Sequence, residues 1–254
     1  LDCEPRERCE AVQPRSEETR GVEAASTGYI QLIDAEQLHE LACAEDVMVR
    51  LEVEEGDFVH PHRRLMTLQG GRVGDDVLAR LQATVVVGFE RSHEGDPRLG
   101  FELLAEIACR ALSPGVNDPQ SALVCIEYLG SLLCLAASRG RDDYPPQSTP
   151  DQRVRFRRAD FEALLERAYR PVARDGAASA EVLNAMMASF IELAASAHAD
   201  HLDVIEAEGQ RVEDYGAAGL ELETDREKLS ALAARLCETV AERRRGREDA
   251  GQVA

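Results

Sequence analysis

Apolar positions along the chain follow two regimes. From residue 27 to about 92 they come in short runs, several alternating with polar positions. In "VMVRLEV", Val47, Val49, Leu51 and Val53 alternate with Met48, Arg50 and Glu52, the period of a half-buried strand. "GYIQLI", "RLMTL" and "TVVVGFE" predict three more strands. Between them, "DAEQLHELACAED" reads as a helix capped by Asp34, with Leu38, Leu41 and Ala42 on one face, and "DDVLARLQ" as a shorter one. "EEGDFV" is a turn in which Gly56 is free to take positive φ. Residues 1–26 are charged and carry no sustained apolar period, so they are expected to form a flexible lead-in.

From residue 93 the period changes to that of helices. Asp96-Pro97 and Asp118-Pro119 are start signals, with Asp as cap and Pro at the first helical position. Leu99, Leu103, Leu104, Ile107, Ala108 and Ala111 give the first helix a wide apolar face, and Ala122 through Ala136 give the second its stripe. A third is predicted from Phe161, Leu164, Leu165, Ala168 and Val172. A fourth runs from about Ala178 to Glu208, with "YGAAG" as its breaker, and a fifth from about Glu223 to Arg244. The expected fold class is α+β, a small β-rich module followed by a predominantly α-helical bundle. The expected boundaries are a lead-in over 1–26, the module over 27–92, the bundle over 93–244 with a Pro-rich linker at 139–152, and a flexible tail over 245–254.

Composition narrows the chemistry. The 254 residues are 44% hydrophobic and 30% charged, ordinary for a globular chain, and aromatics are only 4%, so the core is built from aliphatic side chains. A net charge of -19 repels phosphate backbones, which argues against nucleic acid as a partner. Lys228 is the only lysine and lies in a charged helical segment with no glycine loop, which speaks against Schiff-base, Walker and swinging-arm chemistry. The seven cysteines are scattered with no C-x-x-C pair. A disulfide framework or a zinc site is therefore not expected, no cofactor is assigned, and a reducing compartment fits. No run approaches 18 apolar residues, so no bilayer span is expected, and the opening Leu1 suggests a fragment or processed product.

The densest polar punctuation is Ser113-Pro114-Gly115-Val116-Asn117-Asp118-Pro119, between two helices. As a turn, Pro114-Gly115 suits the centre of a type II turn, and Asp118 caps the next helix. As a site, Arg110, Ser113, Asn117 and Asp118 are the candidate ligand-binding residues, although Ser113 lacks a G-x-S-x-G context. His198 and His201, three apart on the expected fourth helix, are candidate metal ligands. His60-Pro61-His62 is a weaker pair, and His93-Glu94 reads as loop.

Two stretches carry a family resemblance. Arg110, Ala111, Leu112, Ser113, Pro114, Gly115, Asn117, Asp118, Pro119 and Ala122 resemble the run R-A-L-S-P-G-x-N-D-P-x-T-A of a bacterial predicted membrane-protein family, domain-of-unknown-function family 2254, with Ser121 in place of Thr. Gly28, Tyr29, Gln31, Ile33, Asp34, Gly56, Asp57, Phe58 and Val59 resemble its G-Y-V-Q-x-I-D and G-D-F-V segments, while His62-Arg63-Arg64 departs from its Gly-x-Pro. The resemblance covers about residues 27–240. It implies transmembrane helices, even in number, ahead of this region and an inner-membrane protein, and it transfers no catalytic residue. "VRLEVEEGDFVHPHRRLMTL" is also similar to the hairpin of barrel-sandwich modules, without the carrier lysine.

The reading is a soluble, cytoplasmic domain of a bacterial inner-membrane protein, non-catalytic, serving homo-oligomeric assembly or ligand-sensing gating. Its expected partners are the preceding transmembrane segment, further copies of itself, and a small ligand or cation. Two alternatives stand beside it. One is a metal-assisted hydrolase that brings His198 or His201 to Asn117 and Asp118. The other is a transport accessory domain.

Overall fold

The computed structural model describes residues 19–71, 73–92, 96–138, 148–157 and 160–252, with side chains up to 246. These fall into two compact units, one drawn from Leu1–Leu99 and Pro145–Ala159, the other from Gly100–Tyr144 and Asp160–Ala254. The architecture is mixed α+β, as expected, with two small sheets in the first half of the chain and helices after them.

The first unit holds strands β1 (Thr19–Glu23), β2 (Gly28–Ile33), β3 (Val47–Leu51), β4 (Phe58–Val59), β5 (Arg64–Gly70), β6 (Val85–Gly88) and β7 (Val154–Arg155), and helices α1 (Ala35–Ala44) and α2 (Asp75–Ala83). One sheet runs β1-β5-β3-β7, the other β4-β2-β6. Alternation puts Val47, Val49 and Leu51 inward with Arg50 out, and β3 pairs antiparallel with β5 from Val47↔Gly70 to Leu51↔Met66. Asp34 Oδ1 accepts from Gln37 N at 2.9 Å and caps α1 as predicted. The barrel-sandwich-like segment is divided between the sheets, because β3 and β5 pair with each other while β4 pairs with β2.

Three strands fall where the sequence pattern did not place them, the first being β4, whose Phe58 and Val59 were read as part of a turn and pair with Tyr29 and Gly28 of β2. β1 lies within the expected lead-in, since "TRGVE" offers one buried side chain, Val22, and is held by backbone pairing to β5. β7 follows the expected linker and pairs parallel with β3 at Val49↔Val154, where Val154 is fully buried. Residues 139–147 of that linker lie outside the described residues.

A buried charge cluster closes this unit. Arg98, at the start of helix α3 (Pro97–Leu112), sends Nε to Asp96 Oδ1 at 3.0 Å, Nη1 to Glu54 Oε1 at 2.7 Å and Asp57 Oδ1 at 3.3 Å, and Nη2 to the Glu55 carbonyl. Arg91 Nε takes the other Asp96 oxygen at 2.8 Å. The Asp96 side chain is 1% exposed and that of Arg98 6%. Gly56 sits against this carboxylate at φ +86, so a side chain there would strain the backbone and collide with Asp96.

The second unit contains the rest of α3, α4 (Pro119–Ala137), α5 (Phe161–Asp175), α6 (Ala180–Ser196), α7 (Leu202–Gly219) and α8 (Glu223–Gln252). Helix α6 is central, with Val182, Leu183, Met186, Met187, Phe190, Leu193 and Ala194 all buried. Tyr169 of α5 meets Phe190 edge-on at 5.1 Å and shares a 2.6 Å hydrogen bond with Ser189 Oγ.

The expected fourth helix, Ala178 to Glu208, is in fact two. It breaks at Ala197–His198, where both residues turn extended and the His198 N–H donates to the Ala137 carbonyl at 2.7 Å; a 3-10 turn, Ala199–His201, follows. The continuous apolar pattern hid this break. "YGAAG", read as the breaker, forms the last turn of α7, which ends at Gly219 before α8 opens at Glu223. Gly209 and Gly216 of α7 are contact points, because a Cβ on either would run into Leu236 or Leu229 of α8. Helix α8 continues past Arg244 to Gln252, as a run of Arg, Glu and Ala permits.

Two outcomes follow. Arg98→Ala strips Glu54, Asp57 and one Asp96 oxygen of the buried cation they share and should lower stability by about 3–5 kcal/mol in urea unfolding. Gly209→Val overpacks the α7–α8 contact and should cost about 1–3 kcal/mol by the same measurement.

Candidate functional site

The Ser113–Pro119 hairpin is built from backbone bonds. Val116 N and Asn117 N both donate to the Ser113 carbonyl, at 3.0 and 2.9 Å, and Asp118 N reaches back to the Ala111 carbonyl at 2.8 Å. The positive φ falls on Asn117 (φ 49) and not on Gly115, so the expected type II turn is absent. An extra turn of helical bonding over Pro114-Gly115 moves the reversal two residues on, to a residue type that tolerates the left-handed region. Asp118 caps α4. Its Oδ1 accepts from Ser121 N at 3.2 Å and its Oδ2 from Ser121 Oγ at 2.5 Å. The Ser121 hydroxyl and then its N–H hold the Asp118 carboxyl below its ordinary value.

The other residues singled out there have structural partners. Ser113 Oγ donates to the Arg110 carbonyl at 2.7 Å, and Arg110 pairs along its helix with Glu106. Asn117 is exposed.

His198 and His201 lie at the other end of α4. His198 N bonds Ala137, the last residue of α4, whereas Asp118 caps the first; a 19-residue helix separates them by about 27 Å. The set required by the hydrolase reading is therefore not assembled. The two histidines also diverge from each other. His201 is buried with its ring 4.5 Å from that of Phe161, while His198 pairs with Asp200 at 3.3 Å, and their centroids are 6.5 Å apart. His60 and His62 are exposed in the β4–β5 turn, with His62 Nδ1 3.2 Å from Glu23 Oε2. His93-Glu94 lies outside the described residues.

The structure does gather one mixed ligand set, which no sequence motif marked. Among the described residues, His39, Cys43 and Asp151 are the group of three donors within 4.8 Å of one another. His39 and Cys43 stand four apart on α1, hence on one face. Asp151 comes from the segment leading into β7. His39 Nε2 is 3.1 Å from Asp151 Oδ2, Cys43 Sγ is 3.4 Å from His39 Nε2, and Cys43 Sγ is 3.9 Å from Asp151 Oδ2. Asp151 Oδ1 is occupied separately, accepting from Thr149 Oγ1 at 2.6 Å and from Arg153 N at 3.1 Å. Burial alone would raise the Asp151 carboxyl; the hydrogen bonds from Thr149, His39 and the Arg153 N–H outweigh it and bring it down from 3.8 to about 2. Burial, then the Asp151 charge, pushes the Cys43 thiol up. The i, i+4 half of this set was visible in "LHELAC"; its carboxylate lies more than a hundred residues away.

Sequence comparison agrees with the two resembling stretches. The family described as "Predicted membrane protein (DUF2254)" matches residues 2–192. The chain belongs to this family. An uncharacterised protein of Mycobacterium tuberculosis H37Rv, Rv1290c, and one of Mycobacterium bovis, Mb1321c, are each 34% identical to this DUF2254 member over 125 residues, 47% of this chain. That stretch is 24% of either relative, so the match spans about a quarter of their length. No solved structure matches the chain. Within this DUF2254 member the matched motifs have visible structural roles: Gly56 and Asp57 border the Arg98 cluster, and Asp118 with Ser121 closes the cap of α4.

The Asp151 shift carries a sign. A carboxyl lowered in the folded chain stabilises fully above its ordinary value and loses that stabilisation as pH falls toward about 2. Metal-free Asp151→Asn should be less stable at pH 7 by about 1–2 kcal/mol, and this deficit should fall by about half by pH 3, read from urea unfolding at both pH values.

Proposed function

We propose that this region is a non-catalytic assembly module of a bacterial inner-membrane protein, pairing with a second copy of itself through helix α4. The observation that carries this reading is the outer face of α4. Val124, Tyr128, Leu132 and Leu135 are exposed there, Tyr128 by 63% and Leu135 by 64%. At 100° per residue they fall within about 80° of arc together with Ser121, Ser131 flanks that arc, and the exposed Glu127 lies about 60° outside it, so no carboxylate or basic group enters the stripe itself. A chain with net charge -19 resists self-association over most of its surface. A stripe without charge is where two copies meet without that penalty, and its apolar area supplies the driving force.

Helix α4 is also long and apolar enough to cross a membrane by length and composition, with mean hydropathy 1.5 over its best window. Its apolar runs are short because Glu127, Tyr128, Gly130 and Ser131 interrupt them, while the average over the whole helix stays high. Its inner face, however, is buried within the second unit through Ala122, Cys125, Ile126, Leu129, Leu133 and Ala137, the position of a core helix. Placement on the cytoplasmic side is supported by free thiols at Cys43, Cys109, Cys125, Cys134 and Cys237. A preceding transmembrane segment as partner is supported by the family's description and by relatives about four times as long as the matched stretch.

Light scattering on size-exclusion fractions should give a dimer for the chain and a folded monomer for Tyr128→Asp, which sets two carboxylates against each other in the paired stripe. A monomeric parent chain, or a Tyr128→Asp dimer, would mean that α4 is not the assembly face.

A further inference from the structure

We propose that His39, Cys43 and Asp151 bind one zinc-class divalent cation per chain. The donor set is an imidazole nitrogen, a thiolate and one carboxylate oxygen. That combination suits a borderline-soft cation such as zinc and is poor for magnesium or calcium, which want several oxygens.

Spacing fits as well as type. Zinc bonds of about 2.0–2.1 Å to nitrogen, 2.0–2.2 Å to oxygen and 2.3 Å to sulfur, at tetrahedral angles, require edges of about 3.4 Å (N···O) and 3.6 Å (N···S and S···O). The three edges here are 3.1, 3.4 and 3.9 Å. Each differs from the tetrahedral value by about 0.3 Å or less, so a cation enters with side-chain adjustment alone.

The site is also supported from behind. Thr149 Oγ1 and the Arg153 N–H hold Asp151 Oδ1, which aims Oδ2 at His39 and Cys43, the second-shell arrangement of metal carboxylates. The Arg153 guanidinium is the adverse charge. Its Nε stands 3.6 Å from Oδ2, beyond hydrogen-bonding distance, and its Nη1 is turned to Asp46 Oδ1 at 3.2 Å. The Cys43 side is exposed, so a fourth position is open to water or a small ligand. On binding, the Cys43 thiol gives its proton to solvent, His39 gives up the Nε2 proton it shares with Asp151 and takes one at Nδ1 so that Nε2 offers its lone pair, and no electron is transferred.

The cation would tie α1 to the segment that delivers β7, joining residues more than a hundred positions apart. This inference is independent of the α4 reading, since monomer and dimer offer the same three donors.

The test uses the full chain, stripped with chelator and loaded separately with zinc and with cobalt(II). The expected result is one equivalent of zinc retained through gel filtration, a raised melting temperature, and a thiolate-to-cobalt absorption band that disappears in Cys43→Ser. Thr149→Val should weaken zinc binding by about 10–100-fold with the band intact. His39→Gln serves as the second ligand variant should Cys43→Ser fail to give a folded circular-dichroism spectrum, and it too should lose stoichiometric zinc. Absence of stoichiometric zinc from the parent chain would overturn the proposal. So would a thiolate band that survives Cys43→Ser, because the sulfur would then come from another cysteine.

Discussion

The first unit depends on burying a guanidinium. Arg98 and Asp96 are almost wholly withdrawn from water, and an isolated charge there would be prohibitively costly. The cost is offset because the guanidinium is bonded on every side, by Asp96, Glu54, Asp57 and the Glu55 carbonyl, while Arg91 takes the remaining Asp96 oxygen. Such a cluster is demanding about geometry. It requires the 54–57 turn to present two carboxylates and a carbonyl inward, and that turn requires a glycine at 56 both for its φ and for the space the Asp96 carboxylate occupies. Two short pieces of sequence far apart, "EEGD" and "DPR", are thereby locked to each other, and α3 begins where the local Asp96-Pro97 signal placed it, with Asp96 Oδ1 accepting both the Arg98 N–H at 3.1 Å and the Arg98 guanidinium.

The second unit rests on close approach. α6 buries one wide face, about 140° of arc from Val182 to Met187, so the helices against that face must come near. Gly130 of α4 faces Ser189, and Gly209 and Gly216 of α7 admit Leu236 and Leu229 of α8. In each case the missing Cβ is the space a partner's side chain fills. With aromatics at 4%, this core gains density from interdigitated leucines and glycine notches in place of large rings.

What was legible in the sequence was whatever is local. Alternation in "VMVRLEV" and the Asp34 and Asp118 caps depend on neighbours within a few residues, and each formed where the pattern placed it. What was not legible depends on partners far along the chain. β1 and β7 are strands because β5 and β3 offer them edges, not because "TRGVE" or "VR" has a pattern. The α6–α7 break arises where the His198 N–H takes the carbonyl of Ala137, sixty-one positions earlier, and Gly216, within the "YGAAG" that ends α7 at Gly219, is also a packing notch for Leu229, a second role that one dimension does not show. The Ser113–Pro119 hairpin was legible as a turn but not in its type, because the left-handed residue is Asn117 and not the glycine two positions before it.

The same distinction separates the candidate sites. Ser113, Asn117 and Asp118 attracted notice because polar residues are dense there, but density in sequence is what a tight helix-to-helix reversal needs for its own backbone. His39, Cys43 and Asp151 attracted none, since they stand in unremarkable surroundings and meet only in the fold. The two carboxylates are held differently. In the hairpin, Asp118 turns both carboxylate oxygens to Ser121 of its own helix. In the triad, Asp151 commits Oδ1 to its own loop and leaves Oδ2 directed at donors from another element. A carboxylate used up by its own turn closes a structure. One held by its turn and aimed across a gap at an imidazole and a thiol keeps an oxygen for a ligand, and that asymmetry is what the zinc proposal rests on.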